Sequence, residues 1–177
     1  MRKNNTFKLA LGGICLALTL IFMFAGSIVP GIELTLFAVS SVFVAVMIIE
    51  AGIGGGVLLY AAAVLLGIVI IPNKPAIIPY AFLFGYYGIL KFYIEKIHSA
   101  VLQIAVKAAF FALALCIGLL GFKELLLGSI HLPDYPVWLL IAAGILMLLV
   151  YDYIYTLIIN LYIKRIKNRG ADNFKLS

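Results

Sequence analysis

Two charged residues, Lys107 and Asp152, stand well inside apolar stretches of the sequence. A charge that faces lipid is costly, so such residues normally face the interior of a helical bundle and pair with each other. Residues four apart lie on one face of a helix. By this rule Gln103 shares a face with Lys107, and Thr156 and Asn160 share a face with Asp152. We therefore predict an intramembrane polar pair, Lys107 with Asp152, on two neighbouring antiparallel helices.

The depth of the two charges is compatible with this pairing. At ~1.5 Å per residue, Lys107 lies ~12 Å from the nearer end of its segment, and Asp152 lies about one helical turn deeper than that on the last segment. A lysine side chain is long enough to cover one turn. The pair is either a structural clamp or part of a substrate or proton site. A proton relay normally needs a chain of carboxylates or histidines, and this pair has a single carboxylate.

A second set of polar and aromatic residues lies at or beside two of the predicted loops. Polar groups interleaved with aromatic rings are able to hold a small, flat, polar ligand. We expect these residues at one rim of the bundle, although solvation of the loops explains the polar ones equally well. The candidate substrate-binding residues are Asn73, Lys74, Tyr80, His131, Asp134, Tyr135 and Trp138.

Three small residues, Ala10, Gly13 and Ala17, form a stripe on one face of the first apolar segment. Small residues let two membrane helices approach closely. The stripe is either a contact surface for a partner protein or an internal contact with another helix of the same chain.

The composition determines which elements carry these residues. Of 177 residues, 66% are hydrophobic and 11% are charged, and the mean hydropathy is +1.21. A soluble domain has about a quarter of its residues charged. A membrane-spanning helix needs ~20 residues, so this chain has room for about six spans and for no soluble catalytic domain. The net charge of +6 does not indicate nucleic-acid binding, because the cations lie at segment ends.

We predict an all-α integral membrane protein, a bundle of about six transmembrane helices in a single domain. Proline, glycine and charged residues separate the apolar segments. Fusing the second and third segments through their glycines would give five spans, but the joint run is about twice as long as a bilayer requires. The predicted spans are residues 9–28, 34–49, 54–71, 76–90, 100–121 and 137–163.

The distribution of lysine and arginine predicts the orientation, because cytoplasmic loops of membrane proteins are rich in them. With a cytoplasmic N-terminus, only Lys74 and Lys123 fall outside, and the C-terminus returns to the cytoplasm with a basic tail at 164–177. A cleaved signal peptide at the N-terminus is the alternative, but its apolar run has the length of a span. The ten cations on the predicted inner side are Arg2, Lys3, Lys8, Lys91, Lys96, Lys164, Arg165, Lys167, Arg169 and Lys175.

Motifs of several enzyme classes do not occur in the sequence. It has no G-x-x-x-x-G-K-[ST] nucleotide loop, no H-E-x-x-H zinc motif and no G-x-S-x-G nucleophile turn. The carboxylate cluster of lipid phosphotransferases, D-G-x-x-A-R, is also absent. Cys15 and Cys116 lie in apolar runs with no second ligand at metal spacing, which indicates packing residues. We expect a non-enzymatic protein with no cofactor and no bound metal.

The layout of the chain resembles the substrate-capturing S component of energy-coupling factor (ECF) transporters. A short basic N-terminus leads into FKLALGGICLALTLIF and a proline-bearing loop, and further compact spans follow. The resemblance covers nearly the whole chain in layout, and its one motif is the small-residue stripe. The family pattern A-x-x-x-A packs against a transmembrane partner; here Gly13 stands in place of the first alanine and Ala17 is the second.

This resemblance implies a function and a set of partners. The chain would capture a small solute, such as a vitamin or related micronutrient, from outside a bacterial cell membrane. It would dock on a transmembrane coupling subunit driven by two ATPase subunits, topple in the lipid and release the solute inside. The competing interpretation is a membrane scaffold or assembly protein of the cell envelope, similar to the MreD family. In that case the polar pair is only a clamp and the first span contacts a scaffold partner.

Overall fold

The fold is built from six α-helices in the parts of the chain that the structure describes. The structure is a computed structural model, and it describes residues 2–29, 31–97, 99–121 and 137–167. The helices are α1 (Arg2–Ile28), α2 (Glu33–Ala51), α3 (Ile53–Ile70), α4 (Ile77–Ile94), α5 (Ala100–Gly121) and α6 (Val137–Tyr162), the last continuing into a π-turn at Ile163–Lys167.

The helices have the length and surface of membrane spans. Five of them are long and apolar enough to cross a bilayer, and α5 is apolar over Val101–Ile117. Large apolar side chains point outward, including Leu9, Val69 and Val101, each at least 75% exposed. Such a surface is stable when it faces acyl chains, and the backbone groups are satisfied within each helix. The predicted all-α membrane bundle is thereby confirmed.

The boundaries of the fourth helix differ from the prediction. We expected the span to end at residue 90 and Lys91 to lie among the cations of the inner side, but α4 continues to Ile94 and Lys91 is only 2% exposed. The charge does not end the helix because it pairs inside the bundle. α4 is also the most buried of the five candidate spans, with 61% of its residues buried, so its polar residues face protein rather than lipid.

The glycine-rich stretch after α2 also differs from the prediction. We expected glycines to separate the second span, ending at residue 49, from the third span, beginning at residue 54. Only Gly52 makes the break, with a φ of 82° that favours glycine, and α3 begins at Ile53. Gly56 instead lies within α3 against the Ile48 side chain. The missing side chain therefore lets α2 and α3 pack closely.

The order of packing explains which helices meet at the centre. α2 contacts α1, α3, α4 and α6, and α5 packs on α6 and touches α4. A cluster of buried aromatic residues occupies the space between α2, α4, α5 and α6. The polar residues of the last three helices therefore meet inside the bundle.

A π-turn at Tyr80–Phe84 interrupts α4. Within it the Gly85 amide donates to the Tyr80 carbonyl, five residues earlier. The Ala81 carbonyl accepts a hydrogen bond from the Tyr60 hydroxyl of α3, at 2.8 Å. Such turns shift the face that a helix presents and are frequent at functional sites.

Reporter fusions test the predicted orientation. We expect fusions at Lys96 and after Lys167 to read cytoplasmic and one at Pro133 to read external, because cations concentrate on the first side. Removing the buried Lys91 from the loop count leaves nine cations against two, so the bias persists. An external reading at Lys96 together with a cytoplasmic one at Pro133 would reverse the assignment.

Candidate functional site

Asp152 is the hub of a buried cluster that joins α4, α5 and α6. Its Oδ2 accepts from Lys107 Nζ at 2.7 Å, and its Oδ1 accepts from the Tyr87 hydroxyl at 2.5 Å and from Lys91 Nζ. The carboxylate side chain is 13% exposed. We name Tyr87, Lys91, Lys107, Asp152 and Thr156 the charge centre.

Lys91 brings α4 into this cluster. Besides Asp152, its Nζ donates to Thr156 Oγ1 at 2.8 Å and lies 2.9 Å from Glu95 Oε1. An ammonium group has three N–H donors, so these contacts use all of them. Thr156 in turn donates to the Asp152 carbonyl at 2.7 Å, which leaves its hydroxyl oxygen facing the lysine.

Lys107 is the second cation and has fewer partners. Its side chain is 9% exposed, and Asp152 is the one hydrogen-bond acceptor it has among the described residues. The contact between Lys107 and Asp152 is the one expected from the sequence. The expectation did not include a second lysine on the same carboxylate.

The sequence contains a signal for the missing residues. Tyr87, Lys91 and Glu95 are spaced by four and therefore share one face of a helix. The error was to end the span at residue 90, which placed Lys91 in a loop. A charged residue within the last turn of a span is compatible with burial when a carboxylate lies on the neighbouring helix.

Aromatic side chains surround the charge centre. The Tyr87 ring lies 5.1 Å from that of Phe111 and 5.8 Å from that of Tyr155, centroid to centroid. Lys91 Nζ lies 5.9 Å from the Tyr155 ring centroid. These rings exclude water and leave the ionic contacts in a low-dielectric interior.

Two tyrosine hydroxyls of α6 connect this cluster to α2. The Tyr151 hydroxyl is 2.7 Å from Ser41 Oγ, and the Tyr155 hydroxyl donates to the Ser41 carbonyl at 3.1 Å. Buried hydroxyl groups that find such partners specify one arrangement of the helices. The charge centre and Ser41 together hold α6 against three other helices.

Two polar residues expected beside the pair lie elsewhere. Gln103 donates from Nε2 to the Ile97 carbonyl at 2.7 Å, so it closes the loop before α5 rather than contacting the pair. Asn160 is exposed, one turn beyond Thr156. Of the polar residues predicted around Lys107 and Asp152, Thr156 is thus the one that joins them.

The predicted rim site is not assembled in the described part of the chain. Tyr80 was expected at the rim but is fully buried, and its hydroxyl has no hydrogen-bond partner among the described residues. Trp138 is 68% exposed. His131, Asp134 and Tyr135 lie outside the described residues.

Lys74 and Asn73 have a simpler structural setting. Both are exposed. Lys74 Nζ donates to the carbonyls of Ile68 and Val69 at the end of α3, the second at 3.4 Å. A cation at a helix C-terminus satisfies the last carbonyls and complements the helix dipole.

The small-residue stripe of α1 faces away from the bundle. Ala10, Gly13 and Ala17 are all exposed, and no neighbouring heavy atom lies within 4 Å of a Cβ built at Gly13. The opposite face of α1 is buried and includes Cys15 and Thr19. Within the described residues the stripe is therefore not an internal packing surface.

Comparisons with protein-family models, with curated proteins and with solved structures find no match for this chain.

The geometry of the charge centre is suited to binding or clamping. Two ammonium groups, one carboxylate and two hydroxyls form a set of donors and acceptors with fixed positions. Among the described residues, no three histidine, cysteine, aspartate or glutamate side chains lie together as a metal site would require. An arrangement of this kind is suited to holding an acceptor-rich group or to locking three helices together.

Proposed function

We propose that the chain is the substrate-capturing membrane subunit of an ECF-type uptake transporter for a small solute. The observation that carries this proposal is the outward stripe of Ala10, Gly13 and Ala17 on α1. A stripe of small residues in a membrane gains little from contact with lipid, but it allows close contact with the helix of a partner. In the family that the chain resembles, this face docks on the coupling subunit.

The buried ionic contacts support the same proposal. A subunit that topples in the membrane must move as one body, and the charge centre ties α4, α5 and α6 together. Ser41 extends this connection to α2. The bundle can then change its tilt against a partner without separating its own helices.

Bulky substitutions on the stripe test the proposal. We expect Gly13→Leu and Ala17→Leu to lower the amount of an ATPase pair that copurifies with the tagged chain by about tenfold, equivalent to ~1.4 kcal/mol of binding free energy. The physical reason is that leucine keeps the partner helix at a distance. The measurement is quantitative mass spectrometry of affinity-purified complexes from native membranes.

The matched control is Ala61→Leu, which adds the same bulk at an exposed position of α3 and is expected to leave copurification unchanged. Mass spectrometry of small molecules retained on the wild-type chain checks solute capture separately. Equal ATPase recovery in all variants, or none with the wild-type chain, would contradict the proposal. Recovery of envelope scaffold proteins alone would favour the assembly interpretation.

A further inference from the structure

The charge centre holds more positive than negative charge among its deeply buried groups. Lys91 and Lys107 are both at least nine-tenths buried, and Asp152 is the carboxylate that they share. The remaining carboxylate in contact is that of Glu95, which is 44% exposed. The balance of charge therefore depends on a side chain at the edge of the bundle.

Glu95 is the exchangeable ligand of Lys91. It lies just after the end of α4 and is 44% exposed, so water competes with Lys91 for its carboxylate and weakens the ion pair. Asp152, by contrast, is 13% exposed and receives three donors. An anion entering from this end of the bundle would displace Glu95 before it displaced Asp152.

Lys107 provides the second half of the site. Its Nζ has one acceptor among the described residues, so two of its three N–H donors have no acceptor there. A buried ammonium group is stabilised by each further acceptor that it gains. An incoming anion would supply such an acceptor.

The spacing of the two ammonium groups suits a carboxylate. Asp152 bridges them already, with Oδ1 on Lys91 and Oδ2 on Lys107. A group of the same shape is therefore able to contact both from another side. The Tyr87 hydroxyl donates to the same carboxylate, and its ring stacks on Phe110 at 6.3 Å and lies 5.1 Å from Phe111. Aromatic neighbours of a cationic site favour an organic anion with a planar body.

We propose that the charge centre binds the carboxylate of a small organic anion, which replaces Glu95 on Lys91 and contacts Lys107. Glu95 lies at the end of the bundle that the cation count assigns to the cytoplasm, so the proposal concerns an anion that binds from that side and does not depend on the proposed function. The anion class would be planar monocarboxylates, for which benzoate is a suitable probe.

Thermal unfolding of the purified full-length chain in detergent tests the proposal. A ligand that binds the folded state raises the unfolding midpoint in a concentration-dependent manner. We expect sodium benzoate to raise the midpoint, and we expect neither benzamide, its uncharged analogue, nor sodium chloride at equal ionic strength to do so. No shift with benzoate, or an equal shift with benzamide, would overturn the proposal.

Glu95→Gln identifies the site. Removing the competing carboxylate should increase the apparent affinity for benzoate by about two- to fivefold, the range for loss of a half-exposed ion pair. Glu33→Gln, at the opposite end of the bundle, is the matched control and should match the wild-type chain. Lys107→Gln should abolish the shift. If that variant does not fold, the Glu95→Gln result decides, since an unchanged affinity there would show that benzoate does not displace Glu95.

The outcome is separable from that of the proposed function. If the chain copurifies with an ATPase pair through its α1 stripe but does not bind benzoate, only the proposed anion site is contradicted. A chain that binds benzoate with the expected variant pattern but recovers no ATPase contradicts only the transporter assignment.

Discussion

Replacing Asp152 with leucine is expected to destabilise the folded chain more than any other single neutral substitution in the charge centre. The change removes the carboxylate from two buried ammonium groups and from the Tyr87 hydroxyl at once. Breaking a buried ion pair by removing one partner costs roughly 3–5 kcal/mol. Couplings between membrane helices are often smaller, below ~1 kcal/mol, so the measured loss will show how well the centre is shielded from lipid and water.

The single lysine substitutions should cost less. Lys107→Met leaves Asp152 with Lys91 and Tyr87, and Lys91→Met leaves it with Lys107 and Tyr87. In each case the carboxylate keeps a cation. The expected order of destabilisation is therefore Asp152→Leu first, with either lysine variant well below it.

Variants that combine these substitutions measure the interaction free energy between the three charged groups. The double variant Lys107→Met with Asp152→Leu should recover part of the loss, with a non-additivity of at least ~0.5 kcal/mol. It still leaves Lys91 with Thr156 and, as its one carboxylate among the described residues, the half-exposed Glu95, so the triple variant that also carries Lys91→Met should recover more. The measurement is the free energy of unfolding in detergent, with Asn160→Leu as an exposed polar control on the same helix.

Strict additivity of these losses would show that the three groups do not interact. The triple variant also separates the two roles of the centre. If the centre is only a clamp, this variant should be stable and keep its function in the membrane. If the centre is an anion site, the variant should be stable, but benzoate should no longer raise its unfolding midpoint.

Replacing Gly88 with alanine is expected to destabilise the chain by about 1–3 kcal/mol, the usual cost of overpacking. A Cβ built at Gly88 would lie 2.6 Å from the Tyr155 hydroxyl oxygen. Tyr155 is fully buried and its hydroxyl donates to the Ser41 carbonyl. The added methyl group must therefore displace either the ring or α4 itself, where α2, α4 and α6 meet.

Gly13→Ala is the matched control because the same methyl group enters open space there. Alanine is favoured over glycine within a helix by up to ~1 kcal/mol, so this variant should be as stable as the wild-type chain or slightly more stable. Both free energies of unfolding are measured in the same detergent. A Gly88→Ala chain as stable as Gly13→Ala would show that the three helices do not pack as closely as described.

The sequence by itself determined the parts of this protein that depend on local composition. Long apolar runs predict spans because hydrocarbon accepts only backbone that is satisfied within its own segment. The same argument placed Lys107 opposite Asp152, because a charge in mid-membrane needs a partner and this one had a carboxylate at nearly equal depth. The all-α membrane class and this contact therefore required no tertiary information.

Only the tertiary structure decided how the helices are rotated about their axes and where each one ends inside the bundle. Rotation places Tyr80 in the core rather than at the rim and turns the stripe at Gly13 outward. The end of α4 depends on Asp152, sixty-one residues away in sequence, which makes burial of Lys91 favourable. Such outcomes depend on the sum of contacts between helices, and the apolar pattern of each span is too uniform to indicate which face meets which neighbour.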